Sequence, residues 1–178
     1  MKFVVLTISL FLTSLYCKAQ IDTTSTKIKV MAIRKDFYDK LPHQISIFCD
    51  FTHSLASSQV AIMDSLWSKF YQSSQKGIAT AILDSGRISR NDFNEFAETM
   101  YQSWYMNDEA NALYIIASPE LKRVRMFLGK GLAKYLSAED IDQISSKFIL
   151  PKFENKNFFD GIKSGTEEVI RRIKLNGG

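Results

Sequence analysis

The chain has 178 residues, 46% of them hydrophobic and 24% charged, with a formal net charge of +4. This composition excludes a disordered or fibrous chain, and two cysteines exclude a disulfide-built scaffold. The basic residues are dispersed rather than clustered, which leaves no electrostatic footprint for nucleic acid.

Residues 1–19 have the three parts of a secretory signal. Lys2 supplies a positive start, residues 3–16 form an uncharged, mostly aliphatic run, and Cys17-Lys18-Ala19 offers small residues at the −3 and −1 positions. The apolar run is fourteen residues. A helix needs about 20 to cross a bilayer, so cleavage before Gln20 is expected rather than anchoring. A lipid on Cys17 would need a small residue before it, and Tyr16 is there instead. Cleavage removes Lys2 and Lys18 and no acid, so the net charge of +4 falls to +2. It also leaves Cys49 as the one thiol, in an apolar run that predicts burial. The expected product is exported, periplasmic or extracellular, with no membrane anchor in the mature chain.

Residues 20–30 are polar and Thr-rich and read as a linker, which places a single domain over residues 31–175. Residues 45–49 predict a short strand leading into Asp50. Residues 57–74 carry Val60, Met63, Trp67, Phe70 and Tyr71 at helical spacing, with Gly77 as the stop. Residues 78–83 read as a buried strand. Ser89 with Asp92 predicts a capping box opening a helix to Trp104, its stripe being Phe93, Phe96, Ala97, Met100 and Trp104. A strand at residues 112–117 and the turn Ser118-Pro119-Glu120 precede residues 122–128. The last segment alternates charged and apolar residues, as a hairpin partner with one wet face does. Ser137 predicts a cap for a helix reaching Phe148, where Pro151 breaks it, and a final helix runs over residues 157–173. The order β-α-β-α-β-β-α-α predicts an α/β fold, a small mixed sheet of about four strands sandwiched between helices.

Four blocks, in order, resemble the TPM domain family over nearly the whole mature chain. Asp50 stands before a turn and a long helix. Trp104 ends a helix ahead of a polar loop and Asn111-Ala112-Leu113-Tyr114-Ile115-Ile116. Ser118-Pro119-Glu120 precedes Arg123-Val124-Arg125 and Gly129-Lys130-Gly131-Leu132. Pro151-Lys152-Phe153 is followed by Gly161-Ile162. The sequence departs from the family pattern at Ala110 and Ala112, where Asp-Asn-Gly is common, and at Ala133, where an acid is frequent.

Some family members bind calcium around the opening acid and the loop before the central strand. The resemblance therefore implies a cation site at Asp50, Asp108, Glu109 and Asn111, oxygen donors suited to calcium, with Ala110 removing one carboxylate. The alternative is that Asp50 caps a turn and Asp108 and Glu109 are solvated. A phosphatase activity also comes with the family. Residues 45–52 resemble a strand ending in a nucleophilic Asp, but Thr52 stands where the second acid belongs. His43 and His53 have no partner at zinc-ligand spacing. Gly129 and Gly131 read as a tight strand exit in which Gly supplies positive φ. Tyr101, Trp104, Tyr105 and Met106 are more large side chains than one helix stripe buries, so they mark either an interaction surface or the base of the core. The expected function is a non-catalytic interaction or accessory module for envelope or secreted proteins. A weak metal-dependent phosphatase and a calcium-binding structural domain are the alternatives.

Overall fold

A computed structural model describes residues 39–44, 46–104 and 111–177. The proposed signal (1–19) and linker (20–30), and four of the singled-out side chains, Tyr105, Met106, Asp108 and Glu109, lie outside the described residues. Asp39 and Lys40 are helical and belong to a separate unit that ends at Leu41. A compact unit begins at Pro42.

That unit is built on a sheet ordered β1-β2-β3-β4: β1 Phe48–Asp50, β2 Gly77–Ile82, β3 Ala112–Ser118 and β4 Arg123–Leu128. The first three strands are parallel and β4 is antiparallel to β3. β2 and β3 are covered on both faces, which is why they read as continuous apolar runs. β4 is one of the two edge strands, and its exposed Arg123 and Arg125 account for its alternation.

One face of the sheet carries α1 (Ser57–Ser74), whose Met63, Trp67 and Phe70 join Phe48, Ile78, Ile82, Leu113 and Ile115 in one core cluster. The other face carries α2 (Phe93–Trp104), with the Tyr101 ring stacked 4.5 Å from Phe127 and 5.3 Å from Tyr114. β1, β2 and β3 step across the sheet in a single direction, so two right-handed connections would put both helices on one face. One of the two is therefore left-handed, against a rule that about 98% of such connections obey.

After β4 the chain makes a 3-10 turn at Lys130–Leu132 and enters α3 (Ala138–Ile144) through the Ser137–Asp140 capping box. Pro151 does not break the helix there. A π turn at Ser145–Ile149 lets the Leu150 N–H bond to Ser145, and Pro151 then falls in the first turn of α4 (Leu150–Glu154). A proline needs no N–H partner at that position. α5 (Phe158–Leu175) returns across the first face. Gly77 likewise is not the stop of α1: Gln75 ends the helix in the left-handed region at φ 55°, and Gly77 opens β2. Among the described residues no helix is long and apolar enough to cross a membrane.

Candidate functional site

The carboxyl ends of the parallel strands gather Asp50, Asp84 and Glu120; Asp50 and Asp84 each bond within their own loop, and Glu120 bonds to the loop after β2. Asp50 accepts the Thr52 N–H at 2.9 Å, the Thr52 hydroxyl at 2.5 Å and the Leu55 N–H at 3.0 Å. It thus shapes the turn that feeds α1. Thr52, at the position an acid would need to hold, is a donor to Asp50. Asp84 accepts the Gly86 N–H at 3.0 Å and pairs with Arg87 at 2.7 Å. Glu120 accepts the Ser85 hydroxyl and, at 3.0 Å, the Ser85 N–H. The Ser85 hydroxyl, helped by its N–H, holds the Glu120 carboxyl below its ordinary range. These bonds shape the loops at this end of the sheet.

Asn111 lies at the other end of the sheet. Asp50 aligns with Ile82, and Ile82 with Ala117, whereas Asn111 immediately precedes the first residue of β3. Six residues at ~3.3 Å each separate the two levels by about 20 Å. Asp50 and Asn111 therefore cannot share a calcium ion, and Asp108 and Glu109 lie outside the described residues. Among the described residues no three His, Cys, Asp or Glu side chains gather as a metal-holding group. His43 and His53 are exposed. Cys49 is buried and reduced, with Sγ 3.1 Å from the Ser46 carbonyl.

Asn111 has a structural partner instead. Its side chain lies against Gly131, where an added Cβ would overlap its amide oxygen. Gly129 has φ −63°, and positive φ among the described glycines occurs only at Gly177. The Gly129-Lys130-Gly131 segment therefore needs Gly131 for close approach, not for backbone conformation.

Of the aromatic cluster, Tyr101 is buried between α2 and the sheet. Trp104 is half-buried, donating to the Pro42 carbonyl at 3.0 Å with its ring 6.1 Å from Phe51. Both are part of the packing.

A concave feature lies elsewhere. β1 has three residues and pairs with Thr80–Ile82, so the first half of β2, paired with β3 on one side, has no strand on its β1 side among the described residues. A recess of about 490 Å³ opens there, between α1 and the segment before β1. Asp64, Trp67 and Tyr71 line it from α1, Ile78 from β2 and Ile47 from the opposite side. Trp67 is 4% exposed and packs 5.2 Å from Phe48, whereas Ile47 and Tyr71 are 59% and 53% exposed. The spacing of Asp64, Trp67 and Tyr71 was a legible signal, but it coincides with a core stripe. Tyr71 on that stripe is at the rim and not in the core.

The fold and the site together define an α/β domain with a mixed four-stranded sheet, loop-forming acids at one end and an apolar recess at one edge. The TPM domain matches residues 48–172, and the chain belongs to that family. Similar solved structures agree in fold. The N-terminal domain of a P. gingivalis protein aligns at 22% identity with a TM-score of 0.65, covering 72% of this chain and 82% of that one. The BA42 protein of the psychrophilic bacterium Bizionia argentinensis aligns at 16% identity and TM-score 0.57, over 71% of this chain and 86% of its own. The N-terminal domain of a Corynebacterium glutamicum protein aligns at 15% identity and TM-score 0.54, over 72% and 80%. Comparison with curated proteins gives no match.

Proposed function

We propose that this chain is an exported, non-catalytic module that docks onto other envelope or secreted proteins through the recess beside β1. The observation that carries this reading is the contrast between the two ends of the site. The acids that could perform chemistry are bonded to backbone N–H groups, whereas Ile47 and Tyr71 stand exposed beside an apolar cavity. Exposed apolar side chains around a concavity suit recognition better than turnover. Of the surface expected at Tyr101, Trp104, Tyr105 and Met106, the two described side chains belong to the packing, and the docking surface of this proposal is Ile47, Trp67 and Tyr71. Export rests on residues 1–19, and the mature chain is expected to begin at Gln20, which intact mass measurement on the secreted product checks.

Docking is tested with a photo-crosslinking residue placed at Tyr71 and, as a control, at the exposed Asp142. A discrete cross-linked partner from position 71 and none from position 142 is the expected result. Identical products from both positions would remove the recess from the interaction.

A further inference from the structure

The recess has a chemical preference written into its walls. Asp64 is the one charged side chain among its described lining residues, and it forms no ion pair with any described residue. Asp64, Trp67 and Tyr71 project from neighbouring turns of α1, which brings a carboxylate and two aromatic rings to one wall. Ile78 and Ile47 supply aliphatic surface around them. Aromatic faces carry negative quadrupole charge, and a carboxylate beside them adds a full negative charge. An anion is repelled by that combination. A neutral apolar group fits the walls but leaves Asp64 without a partner.

We propose that the recess takes a lysine or arginine side chain from a partner protein, its aliphatic stem along Tyr71 and Ile47 and its charged head at Asp64. This inference rests on the interaction reading above and names the residue that reading leaves open. Long basic side chains bury their methylenes on apolar surface while the head reaches a charge, which is the pairing these walls offer. A partner chain is favoured over a free amine by the rim. Ile47 and Tyr71 are more than half exposed at the rim, and a lone alkylammonium leaves much of that surface uncovered. The volume of about 490 Å³ also exceeds what one basic side chain fills, leaving room for its flanking backbone.

The test uses the mature chain and acetylated, amidated heptapeptides that differ only at the central residue: Lys, Arg, norleucine or Glu. Binding is read from the shifts of the Trp67 indole and Gly77 amide resonances. Lys and Arg peptides should bind at least tenfold tighter than the norleucine peptide, and the Glu peptide least. Asp64→Asn, an exposed substitution that the fold tolerates, should remove the Lys-over-norleucine preference while leaving norleucine binding within about twofold. Tyr71→Ala should weaken all the peptides together. Equal affinity for Lys and norleucine, or a preference unchanged in Asp64→Asn, overturns the cation assignment and leaves the docking reading in place. Butylamine binding as tightly as the Lys peptide overturns the choice of a partner chain. Shifts absent for every peptide, together with a Tyr71 cross-linker that captures nothing, overturn both readings.

Discussion

Asn111 and Gly131 form a fixed contact across the amino-terminal end of the sheet: the Asn111 side chain occupies the volume a Cβ on Gly131 would need. Gly131→Ala must push that amide aside, and because Asn111 is exposed and the colliding oxygen ends its side chain, the cost is expected to be about 1 kcal/mol or less. Asn111→Ala in the same chain should restore part of the loss, because the colliding oxygen is gone. Urea midpoints at unchanged m-value measure both effects.

α5 meets the π turn through two glycines one turn apart. A Cβ on Gly165 would lie 2.5 Å from Ile149 Cγ1, and one on Gly161 would lie 2.9 Å from Phe153 Cε1. Exposed helix glycines gain about 1 kcal/mol when replaced by alanine. Gly165→Ala should do the opposite, lowering stability by about 1–3 kcal/mol. Ile149→Val should not add its full cost in the double variant, which a thermal double-mutant cycle can read.

Gln75 is an L-residue in a left-handed helix end, with φ 55° and its N–H bonded to Tyr71. Gly at this position removes the Cβ strain of about 1–2 kcal/mol but adds unfolded-state freedom. Gln75→Gly is expected to raise stability by about 0.5–1 kcal/mol. A fall in the denaturation midpoint would contradict this.

Glu168 is buried and is held at a pKa of about 2, below the ordinary 4.5, chiefly by the hydrogen bonds from Arg171 and then by those from Arg172. A depressed carboxylate pKa stabilises the folded chain fully above 4.5. That contribution drains away as pH falls from about 4.5 through about 2. Glu168→Gln should cost about 2 kcal/mol at neutral pH and flatten the acid limb of the stability profile. Arg172 also bonds Asp140 and Gln143 on α3, so Arg172→Gln should cost more than Arg171→Gln.

Asp50→Ala removes the acceptor for two loop N–H groups and one hydroxyl and should lower stability by about 1–2 kcal/mol. Calcium separates the two ends of the sheet. If millimolar calcium raises the melting midpoint, at most one of Asp50→Ala and Asn111→Ala can abolish the shift, because about 20 Å lies between their levels. Loss of the response in both would contradict the register.

Much of the fold was legible in local pattern. The residues of α1 were readable to the residue, because Met63, Trp67 and Phe70 repeat at the period of one buried face. β2 and β3 announced themselves as interior parallel strands by being apolar throughout, and β4 as an edge by its alternating arginines. The Ser137–Asp140 box placed α3. Ser89 and Asp92 do bond as expected, yet α2 begins at Phe93, because Asp92 supplies the first helical carbonyl. Pro151 misled as a break because a π turn, a defect with no composition signal, absorbs its missing N–H.

The candidate site was less legible. Asp50, Asp108, Glu109 and Asn111 form an attractive oxygen set in sequence, but only the parallel register of β1, β2 and β3 shows that Asp50 and Asn111 occupy opposite ends. Tyr101 carries no mark that distinguishes a core ring from a surface one until Phe127 stacks on it. The recess exists because β1 pairs with β2 only from Phe48 onward among the described residues, a property of how far a strand pairs rather than of which residues it contains. By itself the sequence determined the elements, their order and the family. These follow from periodicity and capping, which act over a few residues. Which ends meet, which faces are covered and where the sheet edge is left open are decided by contacts between residues far apart in the chain, and those appear only in the tertiary structure.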